Sequence, residues 1–519
     1  MSFNYSTDSL NFITNDYKTF LFDIDFQNLF PEIYLTTIAV FLLVYGVIFS
    51  TIKSKNYPIL LVNISWLTLL ALVYSIFLLI NNPVTNALLM YNTLIIDDFA
   101  LFIKVLILLS SFFSIYMAIN YTQQETINAF ESVLLILFST ISMLFLVSSA
   151  DFISMYLAVE LQSLCFYVIA AIKRNSEFST EAGLKYFILG AFSSGLLLFG
   201  CSLIYGFTGL TNFAELAKIF TGGTQEILLT TSSLPVCELG MVFLMVGFLF
   251  KIAAAPFHMW SPDVYEGAPT SITAFFMITP KAALLAVFLR IFIESFYEFF
   301  IPWQTLLIVS SIASLIIGSL AALSQTKIKR LLAFSSIGHV GYLLAGFACG
   351  TIEGIQALLI YLVVYIVMNI NIFAFLLCSI RRDSSYSTPR IKYITDLSYL
   401  AKTNPILAIT FTITMFSMAG IPPLAGFYSK AYLFFATMSS GLYSLAIIGV
   451  LTSVLSCFYY IRLVKIMYFE VPKNWCSYTQ VPRENALTLG ITLFFLLFLM
   501  AYPLPLHLIT HKVSLMLCS

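Results

Sequence analysis

From residue 31 onward the chain is a succession of continuous apolar runs of about 20 residues, separated by short polar breaks. A run of that length is what a helix needs to cross the hydrocarbon core of a bilayer. Fourteen runs stand out, at roughly 31–52, 58–80, 98–120, 130–150, 152–172, 182–207, 239–260, 269–293, 303–324, 330–350, 355–380, 405–438, 441–469 and 485–509. They are unbroken, whereas strands of a membrane barrel alternate over about ten residues. The pattern therefore predicts an all-α polytopic membrane protein with about 14 transmembrane helices. The longest loops, 208–238 and 381–404, are too short for a separate soluble domain.

Composition agrees. Of 519 residues 60% are hydrophobic and 10% charged, with 25 basic and 25 acidic side chains. That is too little charge to coat a soluble surface and too few clustered cations for a nucleic-acid interface, so a soluble enzyme, a nucleic-acid binder and a disordered chain are excluded. The positions of the charges say more than their sum. One side of the predicted bundle, side A, which holds the 52–58 loop, carries fourteen of the 25 basic residues, from Lys53 to Arg483. Side B has little beyond Lys18, Lys218 and Lys512, with Arg290 near its edge. The positive-inside rule makes side A the cytoplasm or matrix and puts both termini on side B. Residues 1–30 are mildly acidic (Asp8, Asp16, Asp23, Asp25) and read as an extramembrane lead-in, not a basic cleavable presequence. The eight cysteines include no CxxC spacing, and no His/Asp/Glu trio has metal-ligand spacing, so no metal site is expected.

A few ionisable residues fall inside the runs, where a charge costs several kcal/mol and usually marks an ion path. Glu160, Lys251 and Lys281 lie near span centres, and Lys430 follows a proline break. One of two buried charges is expected to pair with another, so Glu160 is a natural partner for a lysine. Lys104 and Arg290 read as snorkelling edge charges, and Lys185 sits about one turn inside its span. His258 would share a face with Lys251 in an unbroken helix, being seven residues on. His339 is near a span centre, where it is either a satisfied core residue or a proton relay. Pro256 follows Lys251 by five residues, and Pro422 and Pro423 precede Lys430. A broken helix with a lysine beside it in each half predicts two five-helix repeats, 130–293 and 303–469, of opposite topology. Two unrelated kinks are the plainer alternative. Three helices (31–120) would precede the repeats, and one helix with a tail (485–519) would follow.

The strings YLAVELQSLCFYVIAAIKRNSEFSTEAGLKYFILGAFSSGLLLFG, FLFKIAAAPFHMWSPDVYEGAPT, QTKIKRLLAFSSIGHVGYLLAGFACGTIEGIQ and LAKTNPILAITFTITMFSMAGIPPLAGFYSK closely resemble the antiporter-like membrane-arm subunits of NADH:ubiquinone oxidoreductase, respiratory complex I. The resemblance is to the chain-2 branch in its long mitochondrial form, as in plants, algae and protists. A lysine at 430, where the chain-4 relatives have glutamate, fits that branch, as does a chain ending about ten residues after its last span. The resemblance implies proton translocation driven by electron transfer elsewhere in the complex. It implies that Glu160 pairs with Lys251, that Lys281 is a central relay, and that Lys430, Lys185, His258 and His339 belong to the same hydrated axis. It implies no cofactor on this chain, with NADH, FMN, iron–sulfur clusters and ubiquinone handled by other subunits. The implied partners are the other membrane-arm subunits and membrane lipids, with cardiolipin a candidate, and no nucleic acid. The implied location is the mitochondrial inner membrane, with a bacterial plasma membrane as the alternative. A free-standing cation/proton antiporter and a non-pumping spacer of the membrane arm are the rival functions.

Overall fold

The computed structural model describes residues 25–50, 57–82, 86–125, 130–221, 234–378, 391–471 and 480–518. The acidic lead-in up to residue 24, Lys53, Lys55 and the basic loop at 381–390 lie outside them. Three helices come first: α1 (Phe30–Ser50), α2 (Tyr57–Ile80) and α3 (Asp98–Gln124). A small hairpin, β1 (Ala87–Leu89) with β2 (Leu94–Ile96), joins α2 to α3. Next come α4 (Glu131–Ser148), α5 (Phe152–Ala170), α6 (Glu177–Thr208), the split span α7 (Leu234–Ile252) and α8 (Trp260–Gly267), and α9 (Thr270–Arg290). Then follow α10 (Phe300–Leu323), α11 (Ile328–Ala348), α12 (Ile352–Cys378), the split span α13 (Pro405–Ala419) and α14 (Ala425–Ser439), and α15 (Tyr443–Phe469). The chain closes with α16 (Arg483–Ala501) and α17 (Leu504–Cys518).

Among the described residues thirteen helices are long and apolar enough to cross a membrane, and the paired halves α13 and α14 make a fourteenth crossing. Each set of five, α4 to α9 and α10 to α15, has its break in the fourth span. An odd number of crossings per set reverses the direction of the second. One end of the bundle, end A, holds the turns at 171–176, 268–269 and 324–327; the opposite end B holds those at 149–151, 349–351 and 440–442. One expectation is corrected here. The last run, 485–509, is not one helix with a short tail. The chain breaks at Tyr502 and Pro503, since proline cannot continue the helix, and α17 is a separate helix across end B.

Burial sorts the helices. The hydrophobic window of α9 is buried throughout and those of α11 and α12 are 89% buried, whereas that of α1 is 22% buried. A helix apolar on every face belongs inside a bundle or in contact with lipid, and α9 is the inner pillar. Close approach is bought with small residues. A side chain at Gly318 would meet the Gly338 backbone nitrogen at 2.6 Å, so α10 and α11 touch backbone to backbone.

The edge-charge expectation for Lys104 and Arg290 is also corrected. Lys104 is 2% exposed and pairs with Glu32 of α1 at 2.7 Å. Arg290 is fully buried; its Nη2 donates to both Asp97 carboxylate oxygens at 2.9 Å, and Glu294 lies 3.5 Å from Nη1. A carboxylate near the start of another helix meets each cation inside the protein, so neither needs to reach the interface. Asp97 also caps α3, accepting from the Ala100 amide at 2.8 Å. The turn after Arg290 (Ile291–Ser295) is a π-helix, and it carries Glu294 back to the guanidinium.

Removing one partner of such a pair leaves a buried charge alone, at a cost of about 3–5 kcal/mol. Glu32→Ala is expected to lower the thermal midpoint of the detergent-solubilised assembly and its yield. The double change Glu32→Leu with Lys104→Met is expected to recover most of the loss, as read by the same melting curve.

Candidate functional site

The two broken spans solve the same problem in mirrored ways. Where a helix stops inside a membrane its last carbonyls lose their donors and need others. In the first break, Ala253 turns into the left-handed region (φ 65) and the Trp260 indole N–H donates to the Phe250 carbonyl at 2.9 Å. In the second, Gly420 turns the chain (φ 86) and Lys430 Nζ donates back to the carbonyls of Met418 at 2.8 Å and Ala419 at 3.1 Å. The approach of α14 to α13 is tight enough to require glycine. A side chain at Gly426 would lie 1.8 Å from the Ser417 oxygen.

The lysines sit at these breaks and between them. Lys251 is in the last turn of α7, Lys281 is at the middle of α9, and Lys430 is in the second turn of α14. All three are buried, with exposures of 9%, 4% and 6%. Lys251 and Lys281 line one small cavity of about 20 Å³ with Gln162, Ser163, Tyr186 and Trp260. Lys251 Nζ and Gln162 Oε1 are buried without a hydrogen-bond partner among the described residues. Pro280 also borders this cavity, and it withholds the amide that would bond to the Phe276 carbonyl.

From Lys281 a row of aromatic polar groups runs to Lys430. Lys281 Nζ donates to Tyr365 Oη at 2.8 Å and lies 5.0 Å from the centre of that ring. The Tyr365 ring is 5.4 Å from the His339 ring. His339 is 3% exposed, and its two nitrogens contact Tyr361 Oη at 2.6 Å and Tyr460 Oη at 3.1 Å. Tyr342, one turn beyond His339, offers its ring face to Lys430 Nζ at 5.2 Å. His339, Tyr342 and Lys430 share a second small cavity with Ser335, Tyr459 and Tyr460. No three His, Cys, Asp or Glu side chains cluster as metal ligands among the described residues.

The structure brings Lys251, Lys281, His339 and Lys430 into one row and separates the other candidates from it. Glu160 makes no direct ion pair with Lys251 among the described residues; its Oε2 is 3.4 Å from Ser163 Oγ. Lys251 and Ser163 line the cavity, and the Glu160 carboxylate lies behind Ser163 and is not part of the lining. Lys185 lies in a half-exposed ionic network at end A. It pairs with Glu181 at 2.8 Å and with Asp263 at 3.0 Å, and Arg330 joins Asp263 and Glu266. Lys327 pairs with Glu266 in the same network, which ties α6 and α8 of the first set to α11 of the second. His258 does not share a helical face with Lys251, because the helix ends at Ile252; it is half-buried in the break, with a buried, unpartnered Nδ1.

Sequence reasoning missed the tyrosines. Tyr361 and Tyr365, one turn apart in the middle of α12, turn two phenols toward the His339 ring and Lys281, and Tyr342 and Tyr460 complete the set. The available signal was a pair of phenols at i,i+4 in the middle of a largely apolar helix.

Comparison with known proteins places this geometry in a family. The family described as NADH:quinone oxidoreductase/Mrp antiporter, TM matches residues 149–456, which hold both broken spans and all three lysines. NADH-ubiquinone oxidoreductase chain 2 of Marchantia polymorpha is 60% identical, covering 96% of this chain and 100% of the relative. The protein of that name from Arabidopsis thaliana is 54% identical, covering 95% and 97%. NADH-quinone oxidoreductase subunit N of Parvibaculum lavamentivorans is 43% identical, covering 93% and 95%. Among solved structures, a chain of respiratory complex I from Thermus thermophilus with bound aureothin matches with TM-score 0.75 at 27% identity, covering 91% of this chain and 97% of that one. A chain of the Mrp complex from Dietzia sp. has the same fold, with TM-score 0.78 at 19% identity, covering 96% and 98%. The chain belongs to the NADH:quinone oxidoreductase/Mrp antiporter membrane family, in the branch that contains NADH-ubiquinone oxidoreductase chain 2 and NADH-quinone oxidoreductase subunit N.

Proposed function

We propose that this chain is an antiporter-like, proton-translocating membrane subunit of respiratory complex I, in the mitochondrial inner membrane. The observation that carries the reading is the row of three buried lysines, two at broken spans and one on the central helix, linked by polar cavities and by Tyr365, His339 and Tyr342. On this reading electron transfer occurs in other subunits, which hold NADH, FMN, the iron–sulfur clusters and ubiquinone, and this chain carries no redox centre. Its partners are the other membrane-arm subunits, with cardiolipin or another lipid at the periphery. End A, richer in cations, faces the matrix.

The chemistry is proton transfer steered by charge. Among the described residues Lys251 has an ammonium without a hydrogen-bond acceptor of its own, and the carboxylate of Glu160 is not in contact with it. A change in the distance between them alters how well the proton is held. The cavity between Lys251 and Lys281 meets the roughly 10–15 Å³ that one water needs, and Lys251 Nζ and Gln162 Oε1 are free to bind it. Such a water carries the proton to Lys281. Tyr365 and the His339 imidazole, which can accept at one nitrogen and donate at the other, extend the path to Lys430. Lys430 is held by two carbonyls at the C-terminal end of α13, where the end of the helix dipole is negative. Lys185 and its network are positioning groups on this reading, and His258 lies at the end-A approach to Lys251.

In the assembled complex, Lys281→Met is expected to cut NADH-driven proton uptake by about tenfold or more, because a positioned proton carrier contributes about that much or more. NADH oxidation by an artificial acceptor at the hydrophilic arm stays normal. Vesicle acidification with Lys281→Met at the unaltered rate would sink the central relay. A milder effect is expected for Tyr365→Phe, which keeps the ring under the ammonium and removes the hydroxyl. Proton flux should fall by a few-fold, about 1 kcal/mol for one lost hydrogen bond, while the complex assembles and melts unchanged.

A further inference from the structure

On the end-B side of Lys430, α14 meets the start of α12 and the C-terminal helix α17. Tyr432 is two residues past Lys430, about 3 Å nearer end B along the helix. Its phenol donates to Gln356 Oε1 at 2.9 Å. The Gln356 amide nitrogen in turn meets His507 of α17, at 3.1 Å from the carbonyl oxygen and 3.3 Å from ring Nδ1. The Tyr432 and His507 rings meet edge to face, 5.4 Å apart. Gln356 is 2% exposed, whereas His507 is half-buried. A buried amide therefore joins a phenol on the Lys430 half-helix to an imidazole at the end-B surface. Ser439, at the end of α14, donates to Glu353 of α12 at 3.3 Å, and Lys512 of α17 pairs with Asp98 at 2.8 Å. The first contact ties α14 to α12, and the second ties α17 to the start of α3.

The chain phenol–amide–imidazole is closed with a neutral ring and is opened at the imidazole when the ring is protonated. With a neutral ring, the amide N–H donates to Nδ1, the amide oxygen accepts from the phenol, and the ring proton is on Nε2. With an imidazolium, Nδ1 becomes a donor. The amide cannot turn its oxygen to Nδ1–H without setting it against the His507 carbonyl, so protonation of the ring breaks the contact between Gln356 and Nδ1 and leaves the amide N–H on that carbonyl. Histidine is the side chain for which both forms are accessible near neutral pH.

We propose that His507 is the group through which the proton leaves at end B, with Gln356 and Tyr432 as positioning residues that report its protonation to the helix carrying Lys430. The Lys430 ammonium gives its proton through water to the imidazole, leaving a neutral amine and an imidazolium. The imidazolium gives the proton to bulk water at end B, and the ring returns to its neutral form. Tyr432 and Glu353 are the titratable groups facing this cluster from α14 and α12. The inference rests on the relay reading above.

The test compares His507→Ala, His507→Asn and Lys281→Met in the assembled complex reconstituted in vesicles, reading NADH-driven proton flux. Asn keeps a polar partner for Gln356 but cannot be protonated. Both His507 variants are expected to lower flux by about tenfold, and free imidazole in the buffer is expected to restore flux to the Ala variant. Unaltered flux in His507→Asn overturns the proposal, as does a slow His507→Ala that imidazole fails to restore. Should the Ala variant not assemble, the Asn variant decides. If Lys281→Met also keeps its flux, the relay reading falls with it; if Lys281→Met is blocked while His507→Asn pumps normally, only the release assignment falls.

Discussion

A helix that stops in the middle of a membrane leaves carbonyls with no water to satisfy them, and this requirement organises the rest of the molecule. At the second break the compensating donor is the functional lysine itself, with Lys430 bound to Met418 and Ala419. At the first it is the Trp260 indole, which leaves Lys251 free of any such duty and turned into a cavity. Two breaks of the same kind thus hold their lysines differently. One ammonium is fastened to a helix end and the other has no hydrogen-bond acceptor among the described residues. A carrier that must both receive and release protons needs such unequal sites.

Between the breaks, α9 must stay fixed while the charges around it change. It is buried on every side, and its end-B terminus is fastened by Arg290 to Asp97 and Glu294. One guanidinium nitrogen, Nη2, meets both oxygens of Asp97 and the other, Nη1, meets Glu294, so the two carboxylates fix the arginine from two directions. At end A the ionic network from Lys185 to Lys327 binds α6 and α8 to α11, so the first broken span is tied to the helix bearing His339. The bundle is braced by ion pairs at its two ends and has neutral partners along its middle.

Much of this was legible in the sequence because the membrane penalises polarity so heavily. Lys251, Lys281 and Lys430 stand out of apolar runs, and prolines 256, 422 and 423 mark the breaks. The partners were harder to read. Glu32 is 72 residues from Lys104, and Asp97 is 193 from Arg290, both near helix starts where acidic residues are ordinary. The tyrosines were hidden by number: among 29 tyrosines and 50 phenylalanines, Tyr365 reads as packing until a lysine is seen beside its oxygen. His258 was misplaced because an i,i+7 relation holds only while the helix continues. Tyr502 and Pro503 were read through because the apolar run carries on past them.

The neutrality of the axis has a physical consequence. Two unit charges 4 Å apart attract by about 4 kcal/mol at an effective dielectric of about 20, and that energy must be recovered before the proton can leave. A lysine locked to a carboxylate in the core is therefore a poor relay, whereas a phenol or imidazole offers a hydrogen bond that can reverse direction. Lys281 has Tyr365, His339 has Tyr361 and Tyr460, and Lys430 has two carbonyls and the face of Tyr342. Glu160 makes no ion pair with Lys251 among the described residues; its carboxylate lies against Ser163, which lines the cavity that Lys251 borders. The same bundle does form tight ion pairs where it gains rigidity from them, at Lys104 and Arg290. Their absence among the described residues of the lysine row is then a property of the row, and it is what allows a charge to be handed along it.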